Sequence, residues 1–302
     1  MRILLTRRIP SSVLNTLEAA HDVEIYDGPG AMPPDELRRR IAGRDALICL
    51  LTDRISDDVL EAGDRLKVVA NIAVGYENID VAAAKRRGIV VTNTPDVLTE
   101  AVAEFTWGLI LTAARRIGEG ERLVRRGGWK GWALDFMLGS ELRGKQLGII
   151  GHGRIGRAVA AKAPAFGMDV VFASRGAASP GPGRFMSLDE LLVTSDIVSI
   201  HAPATAATRH LIGRKELARM KRTALLVNTA RGSIVDEDAL AWGLGEPPDC
   251  RRGPGRVRAR AAGVRAAALS GECRARAAPG QRDARDPHGH GRSRRAQRAG
   301  RA

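Results

Sequence analysis

Lys145-Gln-Leu-Gly-Ile-Ile150 runs into Gly151-His152-Gly153-Arg154-Ile155-Gly156 and on into Arg157-Ala-Val-Ala-Ala-Lys-Ala163. An apolar run, a glycine turn and a helix-forming run, in that order, make the first unit of a dinucleotide-binding fold. The glycines permit a tight turn and let a pyrophosphate approach the backbone. The helix N-terminus then offers that anion free N–H groups and a partial positive charge. Gly-x-Gly-x-x-Gly alone is weak evidence; the strand before it and the helix behind it make it specific. The competing reading is a glycine turn that holds no ligand.

The same rhythm continues on both sides. Downstream, strands are expected at Gln146–Ile150, Asp169–Ala173, Asp196–His201 and Ala224–Asn228. Helices are expected at Ile155–Phe166, Leu188–Leu192 and Arg214–Met220. Parallel strands with such crossovers form most of a doubly wound sheet. Upstream, Ile3–Leu5, Val23–Ile25, Ala46–Leu51, Val68–Ala70 and Ile89–Thr92 read as buried parallel strands. Ser11–Ala20, Pro33–Ile41, Asp57–Ala62 and Val81–Arg87 read as the helices between them. Thr99–Arg116 reads as a long helix bridging the two parts. The fold class is α/β with two β/α domains, residues 1–93 and 94–246.

Residues 247–302 are different. They contain no Ile, Phe, Tyr, Trp, Met, Asn, Thr or Lys, two Val and one Leu, so disorder is the expectation for this Arg/Ala/Gly/Pro-rich tail. The formal net charge of +14 suggests a nucleic-acid binder until its distribution is read. The tail holds 15 Arg and 4 acidic residues, whereas the other 246 residues hold 33 basic and 30 acidic ones. The body is nearly neutral and the tail has no aromatic residue for base stacking, so no nucleic-acid partner is expected. Cys49, Cys250 and Cys273 form no CxxC pair, which fits a reducing, cytoplasmic setting. No apolar run approaches the ~20 residues of a membrane span, and no cluster suggests a metal.

The end of the second cofactor-side strand discriminates NADH from NADPH. An acidic residue there binds the ribose hydroxyls. This chain has Phe172-Ala-Ser-Arg-Gly176. Ser174 and Arg175 suit a 2′-phosphate, one through its hydroxyl and the other through a charge-assisted bond. NADP(H) is therefore expected over NAD(H). The alternative is that Arg175 is a solvated surface residue.

Further motifs run through residues 68–240: Val74-Gly-Tyr-Glu-Asn-Ile-Asp80, Gly88-Ile-Val-Val-Thr-Asn-Thr-Pro95, Leu98-Thr-Glu-Ala101, Gly128-Trp-Lys-Gly-Trp132, His201-Ala-Pro203 and Val227-Asn-Thr-Ala-Arg-Gly-Ser-Ile-Val-Asp236. With the glycine turn, they resemble the D-isomer-specific 2-hydroxyacid dehydrogenases, in the glyoxylate/hydroxypyruvate reductase branch. The resemblance implies a flavodoxin-like substrate domain and a Rossmann cofactor domain. It implies hydride transfer to a small 2-keto acid such as glyoxylate or hydroxypyruvate, giving the D-2-hydroxy acid, and a homodimer formed through the long helix.

Residue by residue, the resemblance places Val74 and Gly75 in the loop whose N–H groups hold the substrate carboxylate. Arg231 resembles the arginine that grips the carboxylate and polarises the keto oxygen; its alternative is a structural ion pair. Thr99, Thr229 and Ala230 would lie at the nicotinamide. Gly151, Gly153, Arg154, Ile155 and Gly156 would hold the pyrophosphate. His201 and Pro203 would shape the cofactor cleft, His201 structurally rather than as a proton donor. His152 is expected to face solvent without a chemical role. Trp129 and Trp132 are expected to line or approach the cleft.

The family's proton-donor histidine and its partner glutamate are implied near positions 278 and 260. This chain has Ala278 and Arg260 there, and neither can supply a proton. Reading the tail one base out of frame explains the substitution. Glu272 followed by Cys273 then yields only Asn or Ser; Asp283, His288 and His290 yield Thr or Met; Asp286 yields Thr or Ile. A permitted shifted reading puts a glutamate at position 260 and a histidine at 278. The tail is accordingly read as a frameshift after about Glu246, in the gene or in its sequencing, with the Rossmann domain incomplete at its C-terminal strands and activity impaired; the alternative is a natural basic disordered tail. The other reading is a non-catalytic, corepressor-like NAD(P)-binding protein.

Overall fold

The computed structural model describes residues 1–175 and 181–244. Two five-stranded parallel sheets organise them. In the first, β1 (Arg2–Leu5), β2 (Asp22–Ile25), β3 (Ala46–Cys49), β4 (Val68–Asn71) and β5 (Val90–Thr92) lie in the order β2-β1-β3-β4-β5. That is the flavodoxin-like order. Leu4, Leu47 and Val69 are fully buried on the inner strands, while Val90 on the edge is 58 % exposed. Helices α1 (Ser11–Glu18), α2 (Pro34–Ile41), α3 (Asp57–Ala62) and α4 (Val81–Arg86) connect the strands. Leu37, Ile41, Val59, Leu60, Ala83 and Ala84 from the last three pack with the sheet into one core. Each fully buried Leu or Ile there contributes about 2 kcal/mol by transfer from water.

Helices α5 (Thr99–Ala114) and α6 (Ile117–Arg125) lead to the second sheet. Its strands are β6 (Gln146–Ile150), β7 (Asp169–Ala173), β8 (Arg184–Phe185), β9 (Ile197–Ile200) and β10 (Leu225–Asn228), in the order β10-β9-β6-β7-β8. The order reverses between β6 and β9, the topological switch point of a Rossmann sheet. Helix α5 and α7 (Arg154–Lys162) cover one face. Trp107 of α5 donates from Nε1 to the Val159 carbonyl at 3.0 Å and stacks on Phe166 at 4.4 Å between ring centres. Helices α8 (Leu188–Thr194), α9 (Arg214–Arg219) and α10 (Glu237–Leu244) cover the other face through Leu191, Leu192, Leu217 and Ala239.

Departures from the sequence expectation have local causes. The long helix stops at Ala114 because Arg116 takes left-handed backbone, φ 58°, and turns the chain into α6. Strand β3 ends at Cys49 because Asp53 captures the Leu50 N–H at 2.8 Å. Helix α7 gives way to a 3-10 turn at Ala163–Phe166, where Pro164 lacks the N–H an α-helix requires. Helices α6 and α10 and the short strand β8 were not expected. The residues read as a tail, including Arg260 and Ala278, lie outside the described residues, as do the lost strands assigned to them.

Candidate active site

The cofactor side of the cleft grows from the turn between β6 and α7. Gly151 has φ +93°, and a Cβ on it would lie 2.6 Å from the Ala202 backbone nitrogen. A Cβ on Gly156 would lie 2.2 Å from the Gly151 carbonyl oxygen. Both positions therefore demand glycine by contact with backbone, which cannot move cheaply. Nothing lies within 4 Å of the corresponding point at Gly153, which leaves that face open to a ligand. The turn opens into a cavity of 630 Å³ that Gly151, Gly153, Ser174, Arg175, His201 and Pro203 all help to line. Arg154, Ile155 and Gly156 form the first turn of α7 beneath it, and Arg154 pairs with Asp96 at 2.8 Å. A helix N-terminus at a strand end, facing an open cavity with Arg175 on its rim, fits a dinucleotide phosphate. Among the described residues no group of His, Cys, Asp and Glu could hold a metal.

His152 corrects the sequence expectation. Its ring is not solvent-facing but 3 % exposed, stacked on Phe172 at 3.8 Å and 7°. Its Nε2 lies 3.2 Å from the Pro182 carbonyl; a carbonyl only accepts, so this nitrogen carries the proton. Burial, the largest influence, holds its pKa below the ordinary value. The stretch with strict glycine positions says nothing about where the side chain between them points. Here the β7 residue Phe172 supplies an apolar floor that the imidazole covers.

His201 is half-buried behind Pro203, with Nε2 2.8 Å from Ser199 Oγ. Burial pushes its pKa down to about 4, so the ring is neutral at physiological pH. It shapes the cavity wall without storing a proton there.

The substrate side joins the two sheets. The loop after β4 is braced by side-chain amides: Asn93 donates to the Val74 carbonyl at 2.8 Å and Asn71 to the Gly75 carbonyl at 2.8 Å. Among the described residues neither the Val74 nor the Gly75 N–H has a hydrogen-bond acceptor. Arg231 reaches this loop from beyond β10. A Cβ on Gly75 would lie 2.3 Å from Arg231 Nη2, so the guanidinium sits directly over that glycine. Arg231 Nη1 donates to the Ala230 carbonyl at 3.0 Å, and Nε donates to the Glu77 carboxylate. Arg231 is thus held in an ion pair, and Glu77 is the partner the sequence did not reveal.

Thr229 and Ala230 are fixed beside this arginine. Thr229 Oγ1 lies 3.0 Å from Thr106 Oγ1 of α5, and the Ala230 N–H donates to Asn228 Oδ1 at 3.0 Å. Thr99 opens helix α5. Trp129 and Trp132 are 58 % and 80 % exposed and do not line the cofactor cavity.

Comparison with known proteins places the chain among relatives. The NAD binding domain of the D-isomer specific 2-hydroxyacid dehydrogenases matches residues 107–246. A glyoxylate reductase from Aeropyrum pernix is 50 % identical over 253 residues, covering 81 % of this chain and 76 % of the relative. The solved structure of the TT0316 protein from Thermus thermophilus is 43 % identical, with a TM-score of 0.77 over 82 % of this chain and 85 % of the other. An acyclic imino acid reductase solved with NADPH and D-Arg is 33 % identical, with a TM-score of 0.74 over 81 % of this chain and 79 % of the other.

Proposed function

The chain belongs to the D-isomer specific 2-hydroxyacid dehydrogenase family, and from that premise we propose how its residues divide the work of NAD(P)H-dependent 2-keto acid reduction. The observation that carries the proposal is the meeting of Arg231 with the Val74–Gly75 loop across the cleft. The two N–H groups of that loop hold the substrate carboxylate. Arg231, planar and permanently charged, grips the carboxylate and stabilises the oxyanion that develops on the keto oxygen. Gly151, Gly153, Arg154, Ile155 and Gly156 bind the pyrophosphate, Thr99, Thr229 and Ala230 frame the nicotinamide end, and His201 and Pro203 shape the cofactor cleft beside Ser174 and Arg175. A bound nicotinamide supplies the two electrons and hydrogen for the keto carbon. The substrate is glyoxylate, which gives achiral glycolate, or hydroxypyruvate, which gives the D-2-hydroxy acid; the new hydroxyl also takes up one proton, which the family's relay would supply.

NADPH is the preferred cofactor. Ser174 and Arg175 stand at the end of β7 on the cavity wall, where an NAD-specific site carries a carboxylate. Titration of the full chain should show NADPH binding about tenfold tighter than NADH, a difference of ~1.4 kcal/mol. Equal affinities, or the reverse order, would remove this part of the reading.

Residues 1–93 serve the substrate and 94–246 the cofactor. Residues 247–302 are a shifted reading of the gene, and with Arg260 and Ala278 in place of the proton relay the chain as written turns over little substrate. The mass of the protein from its host tests the tail: 32.3 kDa keeps it, while a larger mass with peptides of the shifted frame returns the complete relay. The active assembly is a homodimer in the cytoplasm. Its support is the exposed apolar surface of α5, α6 and the following segment, including Phe105, Val124, Trp132 and Leu134.

A further inference from the structure

Glu77 comes from the first sheet's loop and Arg231 from the second sheet's end, 154 residues away, yet the carboxylate receives the Arg231 Nε–H. Both side chains keep contact with solvent, at 31 % and 21 % exposed. Glu77 Oε2 would lie 2.4 Å from a Cβ on Gly75, the same point from which Arg231 Nη2 is 2.3 Å. A carboxylate of the chain itself therefore occupies the space over Gly75 and in front of Arg231. The loop that carries it is braced, since Asn78 donates to the carbonyls of Leu50 and Asp53 at 3.1 and 3.0 Å. Glu77 also lines a second, polar cavity of 450 Å³ shared with Thr52, Arg54 and Ser56. Its side chain thus borders a space that offers a cation and two hydroxyls, alongside the Asp80 carboxylate, which accepts the Ala83 N–H at 2.8 Å.

We propose that Glu77 is a tethered competitor for the substrate. Its carboxylate pairs with Arg231, and the carboxylate of a small 2-keto acid displaces it toward the cavity of Arg54. This rests on the reading of Arg231 as the residue that grips the substrate carboxylate. A tethered group acts at a high effective concentration, so an incoming acid binds more weakly than the bare arginine would allow. Glu77 is in this sense a positioning and affinity-setting residue rather than a catalytic one. It keeps Arg231 extended across the cleft when no substrate is present, and it makes loading conditional on a carboxylate strong enough to take its place.

The test is calorimetric titration of oxamate, a non-reducible 2-oxo acid analogue, into the full-length chain and three variants. Glu77→Gln should tighten oxamate binding about five- to tenfold, because an amide loses the charge-assisted bond to Arg231. Glu77→Asp should also tighten it, since the shorter side chain keeps its charge but falls short of the arginine. That result excludes a mere change in net charge, and it carries the test if the Gln variant does not fold. Arg231→Gln should abolish binding. Oxamate affinity unchanged or weakened in both Glu77 variants, with binding lost in Arg231→Gln, would overturn the proposal for Glu77 alone. Binding retained in Arg231→Gln, or absent from every form including the parent, would overturn the reading of Arg231 and this proposal with it.

Discussion

Gly151, Gly153 and Gly156 shape the cofactor side of the cleft from one short stretch of chain, whereas Gly75, Glu77 and Arg231 shape the substrate side from two separate sheets. The first is held by steric exclusion at its two ends: backbone lies where a Cβ on Gly151 or Gly156 would be, while Gly153 stays open. The second is held by charge across the cleft, through one ion pair and two braced carbonyls. The cofactor side should therefore fail by added volume, and the substrate side by altered charge.

Substitutions on the cofactor side sharpen this contrast. Gly156→Ala puts a methyl 2.2 Å from the Gly151 oxygen. It should cost about 3 kcal/mol by overpacking and remove NADPH binding, read by thermal melting and nicotinamide fluorescence. A variant that melts and binds like the parent would mean that the turn is soft and that exclusion does not hold it.

His201→Gln tests burial. The folded pKa of about 4 lies below the ordinary 6.5, so the unfolded chain takes up the proton first as pH falls. The ring's contribution is fully present above pH 6.5 and is lost on the way to pH 4. The stability advantage of the parent over the variant should shrink by up to about 3 kcal/mol between pH 7 and 4, measured by urea unfolding. A constant difference would show that the ring titrates normally.

Arg175→Ala is the smallest change. NADPH affinity should fall about tenfold, ~1.4 kcal/mol, and NADH affinity should stay level. Equal losses for both cofactors would assign Arg175 to the shared pyrophosphate instead.

The same contrast explains what could be read from residues alone. The strands were legible because parallel sheets buried on both faces need continuous apolar runs, and Gln146–Ile150 and Asp169–Ala173 have their expected bounds. Helix α6 was not, because Gly118 and Gly120 lower its propensity and none of its residues is buried. Helix α10 has a signal in its sequence: Asp236 accepts the Ala239 N–H at 2.9 Å, and Glu237 and Asp238 follow in the first turn. In the site, the strand, glycine turn and helix were legible because the pattern is local. The Glu77–Arg231 pair was not, since no spacing rule connects residues on different sheets. The burial of His152 was hidden for a related reason, because its stacking partner Phe172 belongs to the neighbouring strand.

The proposed function separates a cofactor cavity that takes NADPH from a proton relay that this chain does not supply. Mixing the full-length protein first with NADPH and then with glyoxylate, while following nicotinamide fluorescence and absorbance, tests it directly. The account predicts a saturable fluorescence change on adding NADPH and no loss of absorbance above background after glyoxylate. Steady oxidation at an ordinary enzymatic rate of about 1–1000 per second would contradict it, as would the absence of any fluorescence change.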